Sequence, residues 1–411
     1  MRISSPPSGD VDDPRLVFVL DLIRALHAYG MPANRLETML DVMGEQLDLP
    51  VQAFTTPTVI LASFGEPPRQ RTVMITPRQR ELDLSRLTEL DELVQEIAEG
   101  SVSPQEGSKR VSAIVGRRPL YPTAVRLGAH SAVAFTIAFL LGGNRPTAIL
   151  AALAGLAVGI LELLGERSKP LQGLLLPLGA LIAAGGGALG TRIDPSVAVG
   201  VVGVAGIIML VPGLTLTIAM NEIATGHLVS GTARLSKALV AFLMLGFGAA
   251  LGAELAGLVE GVRAGGRVVA QPEIWVTAAS LAGAMLALTV LLEARPRDLG
   301  WIALASAVAY GMGLVGVQFA GPDIGAGVAT LALGLVGNAF ARFRNRPAAL
   351  LIVPGILLLV PGSLGFRSVT SFLDENVLVA VSTAFDVAIL AVALVAGLMI
   401  ANLAMPPRKA L

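Results

Sequence analysis

The chain has 411 residues, 54% of them hydrophobic and only 15% charged, with 46 glycines and a formal net charge of zero. That balance is too apolar for a soluble enzyme of this length and marks a protein integral to a membrane. The small Lys and Arg clusters have few aromatics beside them and give no sign of nucleic-acid binding, and the absence of cysteine excludes disulfides, thiol chemistry and Cys-ligated metal.

Residues 1–13 (MRISSPPSGDVDD) are rich in Pro, Ser and Asp without an apolar stretch, which predicts a disordered tail, not a signal peptide. Asp12-Asp13 before Pro14 is an N-cap signal, and Leu16, Val19, Leu20 and Ile23 repeat at helical spacing until Gly30. A second helix is expected from Pro32, with Leu36, Met39, Leu40, Met43 and Leu47 on one face. Val51 to Phe64 and Arg71 to Thr76 are β-branched and split by Gly65, Pro67 and Pro68, as paired strands would be. Leu87, Leu90, Val94 and Ile97 mark another helix, and Ser103-Pro104-Gln105-Glu106 is a capping box for the next. Residues 14–118 thus predict a cytoplasmic α+β domain. Its histidine, His27, has Asp21 and Arg24 nearby but no nucleophile at a useful spacing, so it reads as a helix-surface or C-terminal-turn residue. Arg69, Arg71, Arg78 and Arg80 read as a solvated surface.

Apolar segments recur from Pro122 onward, near 122–141, 146–164, 171–190, 195–219, 232–258, 274–293, 298–318, 323–341, 348–365 and 377–404. Each is near the 20 residues needed to cross a hydrocarbon core of about 30 Å. With the N-terminus inside, twelve Lys and Arg fall on the cytoplasmic side and five on the other, which predicts both termini cytoplasmic. The fourth segment carries Pro212-Gly213, and the same heptad pattern recurs 149 residues later, ILLLVPG at Ile356 to Gly362 against IIMLVPG at Ile207 to Gly213. Arg145-Pro146 and Arg295-Pro296 repeat at 150. Five segments per copy is an odd number, so the second copy is expected upside down relative to the first. The predicted fold class is an all-α polytopic membrane protein of about ten transmembrane helices, two inverted five-helix repeats (119–260 and 274–411, joined by an extracytoplasmic linker at 261–273) behind the N-terminal domain.

Pro212-Gly213, then Asn221-Glu222-Ile223, Gly226-His227-Leu228-Val229-Ser230-Gly231 and Ala233-Arg234-Leu235, resembles the bacterial threonine/serine exporter family. Tyr29-Gly30, Asn34-Arg35-Leu36-Glu37, the Phe54 to Ser63 stretch and Leu359-Val360-Pro361-Gly362-Ser363 extend the resemblance over nearly the whole chain. One departure is that the acidic Glu222 follows Asn221 directly. The resemblance implies export of L-threonine and L-serine across a bacterial inner membrane, driven by the proton motive force, with no cofactor. Composition and periodicity indicate only a transporter-like membrane protein. An exporter of a dicarboxylate is a weaker reading, because no Lys or Arg lies in the middle of a segment. A membrane-anchored sensor or enzyme is weaker still, because the front domain lacks a catalytic constellation. No phosphate loop of the Gly-x-x-x-x-Gly-Lys-Ser/Thr type points to ATP-driven transport.

A zwitterionic cargo needs acceptors for its ammonium and donors for its carboxylate in a dry place. Helices broken at Pro212-Gly213 and Pro361-Gly362 would offer backbone groups, and Thr215, Thr217, Ser363, Asn221, Glu222 and Asn338 side-chain partners. Proton coupling needs a titratable group within the membrane, and Asp386 is expected deep in the tenth segment, with Glu254 nearer the outer end of the fifth. His130 is a second buried candidate; Glu162 and Glu293 are expected at solvated cytoplasmic ends.

Overall fold

The computed structural model describes residues 13–262, 273–359 and 377–406, apart from positions 67, 69, 78 and 79. The proposed tail up to residue 12, most of the proposed linker, and Arg69 and Arg78 lie outside those residues.

The N-terminal region opens with α1 (Pro14–Ala28), whose first turn is capped by the Asp13 carboxylate accepting from the Arg15 backbone N–H. The α2 helix (Ala33–Gln46) buries Leu36, Met39, Leu40 and Met43, the stripe expected from its spacing. A three-stranded antiparallel sheet follows in the order β1 (Val51–Thr55), β2 (Ile60–Phe64), β3 (Arg71–Ile75). The stretch from Val51 to Phe64 therefore forms a hairpin of two strands. Its turn is closed by Thr56, whose N–H donates to the Val59 carbonyl at 2.8 Å and whose hydroxyl accepts from the Val59 N–H at 3.0 Å. Pro57, which has no N–H for a ladder, sits in that turn. The α3 helix (Leu84–Ala98) and α4 (Pro104–Gly116) complete the unit, capped by Asp83 and Ser103. Phe18, Leu22, Leu26, Leu36, Met43, Ile60 and Leu90 form its fully buried centre.

The apolar part contains α5 (Thr123–Leu140), α6 (Arg145–Gly165), α7 (Lys169–Gly190), α8 (Val199–Gly206), α9 (Gly213–Ala224), α10 (Leu228–Gly257), α11 (Ile274–Leu291), α12 (Leu299–Arg344), α13 (Ala349–Leu359) and α14 (Val377–Ala404). Among the described residues, eight helical stretches are long and apolar enough to cross a membrane; Ile324–Arg344 lies within α12, and Pro296–Phe319 joins the helical turn Pro296–Asp298 to the first part of α12. The expected ten are not all continuous spans: the fourth is divided into α8 and α9, and only α13 of the ninth is described. The seventh and eighth turn on a single glycine, Gly321, at φ 85° and ψ 175°, a backbone state open to glycine and costly for other residues.

The α10 and α14 helices begin 149 positions apart, α8 and α13 150, and α5 and α11 151. The closest helix packing repeats too. A Cβ built on Gly248 of α10 would lie 2.1 Å from the Pro177 carbonyl oxygen of α7, and one on Gly397 of α14, also 149 positions on, would lie 2.3 Å from the Gly327 carbonyl oxygen of α12. Without a hydrophobic drive between helices in lipid, such glycine contacts let backbones approach and dispersion hold them.

The N-terminal domain sits on one end of this bundle. The first-turn N–H groups of α3 have no partner within their own helix, and two of them donate to the last carbonyls beyond α11: Leu84 N–H to Leu292 O at 2.9 Å and Ser85 N–H to Glu293 O at 3.2 Å. Arg295 reinforces the junction through Glu89 at 3.0 Å and Glu92 at 3.3 Å.

Candidate functional site

Beyond Gly206 the α8 helix gives way to tight turns, with Leu210 N–H donating to Ile207 O at 2.8 Å. Pro212 stands at ψ 39°, outside helical geometry, and α9 starts at Gly213. Ile207, Leu210, Val211 and Gly213 are buried. The irregular backbone is therefore walled by protein, the condition under which a bilayer would tolerate it. Thr217, 2% exposed, donates its hydroxyl to Gly213 O at 3.2 Å, while Thr215 and Asn221 are half-buried. Both α13 and α14 pack against α9, so the second half of the chain adjoins the break. Pro361, Gly362 and Ser363 lie outside the described residues.

Glu222 is fully buried, and both its carboxylate oxygens are engaged. Arg234 Nε donates to them at 3.1 and 3.0 Å, Ser230 Oγ donates at 2.8 Å, and the backbone N–H of Ala33, at the start of α2, donates at 2.9 Å. One carboxylate thus joins the hairpin between α9 and α10 to the N-terminal domain. A few residues away, His227 Nε2 lies 3.2 Å from the Glu37 carboxylate, whose other oxygen accepts from the Thr55 N–H and hydroxyl. Gly226 allows this geometry by turning at φ 89°. The Asn-Glu, Gly-His, Ser-Gly and Arg pattern is therefore a docking element in the fold. Sequence reasoning placed Glu222 among cargo ligands and gave Ser230, His227 and Arg234 no role; the available signal was a lone Glu and a lone Arg flanking an apolar hairpin.

The other expected site residues are spread out. Asn338 on α12 donates to Asn402 Oδ1 at 2.9 Å and to Met405 O at 2.8 Å, tying α12 to the end of α14. Glu254 is exposed near the end of α10, as expected. Asp386 is exposed on α14. It is the tenth residue of α14, and the two turns before it, Val377 to Ala384, are largely apolar as well. His130 on α5, 8% exposed, reaches Glu162 on α6 with Nε2 to Oε2 at 3.1 Å. Gly159 makes room for the imidazole, since a Cβ there would lie 2.9 Å from its ring atoms. Glu162 is consequently paired within the bundle and only partly exposed.

His27 stands in the last turn of α1, one of the two places expected for it, but it is buried there, 5% exposed, with Nε2 donating to Thr56 O at 2.7 Å. Burial, opposed by that hydrogen bond, lowers its pKa below the ordinary 6.5. The unfolded chain then takes a proton that the folded domain refuses, so the domain should be most stable above that value and lose stability as pH falls from about 7 to 5. Thermal melts across that range check it: His27→Asn should flatten the slope, and an unchanged slope would assign it to other groups.

Two family profiles match the chain, one described as "Putative threonine/serine exporter" over residues 17–256 and one as "Threonine/Serine exporter, ThrE" over residues 278–404. The chain belongs to the threonine/serine exporter family. A "Probable threonine/serine exporter" of Mycobacterium tuberculosis is 29% identical over 401 residues, covering 90% of this chain and 72% of that protein. "Pheromone-regulated membrane protein 10" is 23% identical in Eremothecium gossypii (85% of this chain, 48% of the relative) and in Saccharomyces cerevisiae (89% and 50%). The chain thus spans about half the length of these fungal relatives. No solved structure matches it. Its apolar helices, in a member of this family, mark the chain as a multi-pass membrane protein.

Proposed function

We propose that the chain is a secondary exporter of small hydroxy amino acids, L-threonine and L-serine, working by alternating access between two inverted repeats (119–260 and 274–411) behind a cytoplasmic domain (14–118). The observation that carries this reading is the protein-walled break between α8 and α9 in a member of this family. Half-helices meeting inside a bundle present backbone donors at one end and acceptors at the other, which suits a zwitterion. The near-constant spacing of helix starts and of Gly248 and Gly397 supports the duplication. In this reading Pro212, Gly213, Thr215, Thr217 and Asn221, with Asn338 and the Pro361-Gly362-Ser363 segment, border the cargo, while Glu222 acts by holding the domain in place. Asp386 and Glu254 carry the proton from the outer side, and Glu162 with His130 receives it on the domain side.

Efflux of radiolabelled threonine and serine from cells with and without the protein, repeated with an uncoupler, tests the reading. Wild type should accelerate efflux and the uncoupler should abolish the gain; equal efflux in both cells sinks it. Asp386→Asn should lose gradient-driven efflux and keep exchange, whereas full gradient-driven efflux would remove Asp386 from coupling.

Orientation has a clean probe because the chain has no cysteine. Ile193, 87% exposed, follows α7 at the end away from the domain, and Ser101 is exposed within the domain. In intact cells an impermeant maleimide should label Ile193→Cys and spare Ser101→Cys. The opposite pattern would put the domain outside.

A further inference from the structure

Between the N-terminal domain and the bundle lies a cleft of about 650 Å³, large enough for a small metabolite. The domain contributes Tyr29, the segment from Arg80 to Asp83, and Arg86; the bundle contributes the start of α5, the end of α6, the start of α7 and Glu293 beyond α11. Most of its charged groups are engaged by one another, although Arg86 Nε has only the ion pair to Asp83. Arg126 pairs with Glu81 at 2.9 Å and with Glu166 at 3.6 Å. Asp83 caps α3 and lies 3.3 Å from Arg86, and Glu162 is held by His130. Glu293 differs. Its Oε2 accepts from the Leu120 N–H at 2.6 Å, but its buried Oε1 meets no donor among the described residues.

Two further observations set Glu293 apart. The residue is 9% exposed, so its free oxygen has exchanged water for no protein partner, a loss that a bound donor would recover. Its backbone stands at φ 52°, in the left-handed region where glycine is at ease and a side chain is strained. The cleft walls also include Leu82, Pro119 and Leu175, which give an apolar flank beside the charges. Burial, helped by the nearby Asp83, raises the Glu293 pKa above its ordinary value, with the Leu120 N–H, Arg126 and the Tyr121 N–H pulling the other way. An arriving cation would restore the charged form.

We infer that this cleft is a loading site for a small primary amine, in which Glu293 binds the ammonium of the cargo and Arg126 faces its carboxylate. The inference rests on the exporter reading for the identity of that amine. It gives the N-terminal domain a direct task, since half the cleft wall is domain. The site lies beside Glu162 and so at the domain-side mouth of the bundle. From there the cargo would pass toward the break between α8 and α9.

The test uses the full chain in nanodiscs. Glu293→Gln keeps a carbonyl oxygen for the Leu120 N–H and removes the charge; it should weaken binding of radiolabelled L-threonine about tenfold or more. Exposed Glu99→Gln serves as the control. N-acetyl-L-threonine, which lacks the ammonium, should fail to compete. In a variant with Glu293 intact, Leu82→Cys should react more slowly with N-ethylmaleimide when L-threonine is present, a readout that stands even if Glu293→Gln does not fold. Threonine binding within twofold of wild type in Glu293→Gln, or no protection of Leu82→Cys, overturns the inference while measured efflux leaves the exporter reading standing. Glu293-dependent binding of ethanolamine by a protein that exports no threonine supports the cleft and sinks that reading. Displacement by sodium alone, without any amine competing, would make the cleft a metal-cation site and overturn the inference.

Discussion

Glu222→Leu should be among the most damaging single substitutions in this chain. It leaves Arg234, whose side chain is only 12% exposed, without its counter-charge, and it strips acceptors from the Ser230 hydroxyl and the Ala33 N–H. Removing one partner of a buried, hydrogen-bonded ion pair costs about 3–5 kcal/mol. Because the lost bonds join the N-terminal domain to the α9–α10 hairpin, the loss should appear as easier proteolysis between domain and bundle and as a lower melting temperature. Glu222→Leu combined with Arg234→Met should recover much of the stability, since two apolar side chains leave no unpaired charge. The recovered protein should still export poorly if the domain must stay docked for loading. A melting curve for Glu222→Leu close to wild type would show that the pair is dispensable.

The second large effect is expected where helices touch through glycine. Gly248→Val would push side-chain carbon into the Pro177 carbonyl of α7, where a Cβ alone would lie at 2.1 Å. The obstacle is backbone and cannot rotate away, so α7 and α10 must separate. Overpacking in a tight core costs about 1–3 kcal/mol and more when backbone has to move. Gly397→Val meets the Gly327 carbonyl and the Thr330 hydroxyl, each 2.3 Å from a built Cβ, and should be equally harmful. Gly128, with nothing within 4 Å of a built Cβ, is the comparison site, and Gly128→Val should be tolerated. Membrane abundance and detergent melting temperature of the three variants decide the matter. Tolerance of valine at both packed positions would mean that the helices are not held this closely.

Much of this protein is legible from its residues in order. The caps at Asp13 and Ser103, the stop at Gly30 and the apolar stripe of α2 are local signals, set by neighbours within a few positions, and each stands where the spacing puts it. Membrane segments are legible for a related reason: length and hydropathy alone decide whether a helix can live in lipid, and α14 occupies 377–404 as read. The break at Pro212-Gly213 follows from the same local chemistry, a proline without an N–H next to a glycine without a Cβ.

What the order of residues could not state is which distant groups meet. Glu222 read as a cargo ligand because a polar group beside a broken helix is one; only folding brought Ala33, 189 positions away, and Arg234 to satisfy it. His27 read as a helix-surface or C-terminal-turn residue; it is in the last turn of α1, and what its neighbours along the chain could not state is that the β1–β2 turn covers it. Glu293 read as solvated at the end of its segment; that it is 9% exposed, with one oxygen accepting no hydrogen bond among the described residues, depends on which donors the surrounding helices bring near. Secondary structure and membrane insertion depend on neighbours along the chain and on the solvent. The pairing of buried polar groups depends on contacts across it, and those are decided only when the domain closes onto the bundle.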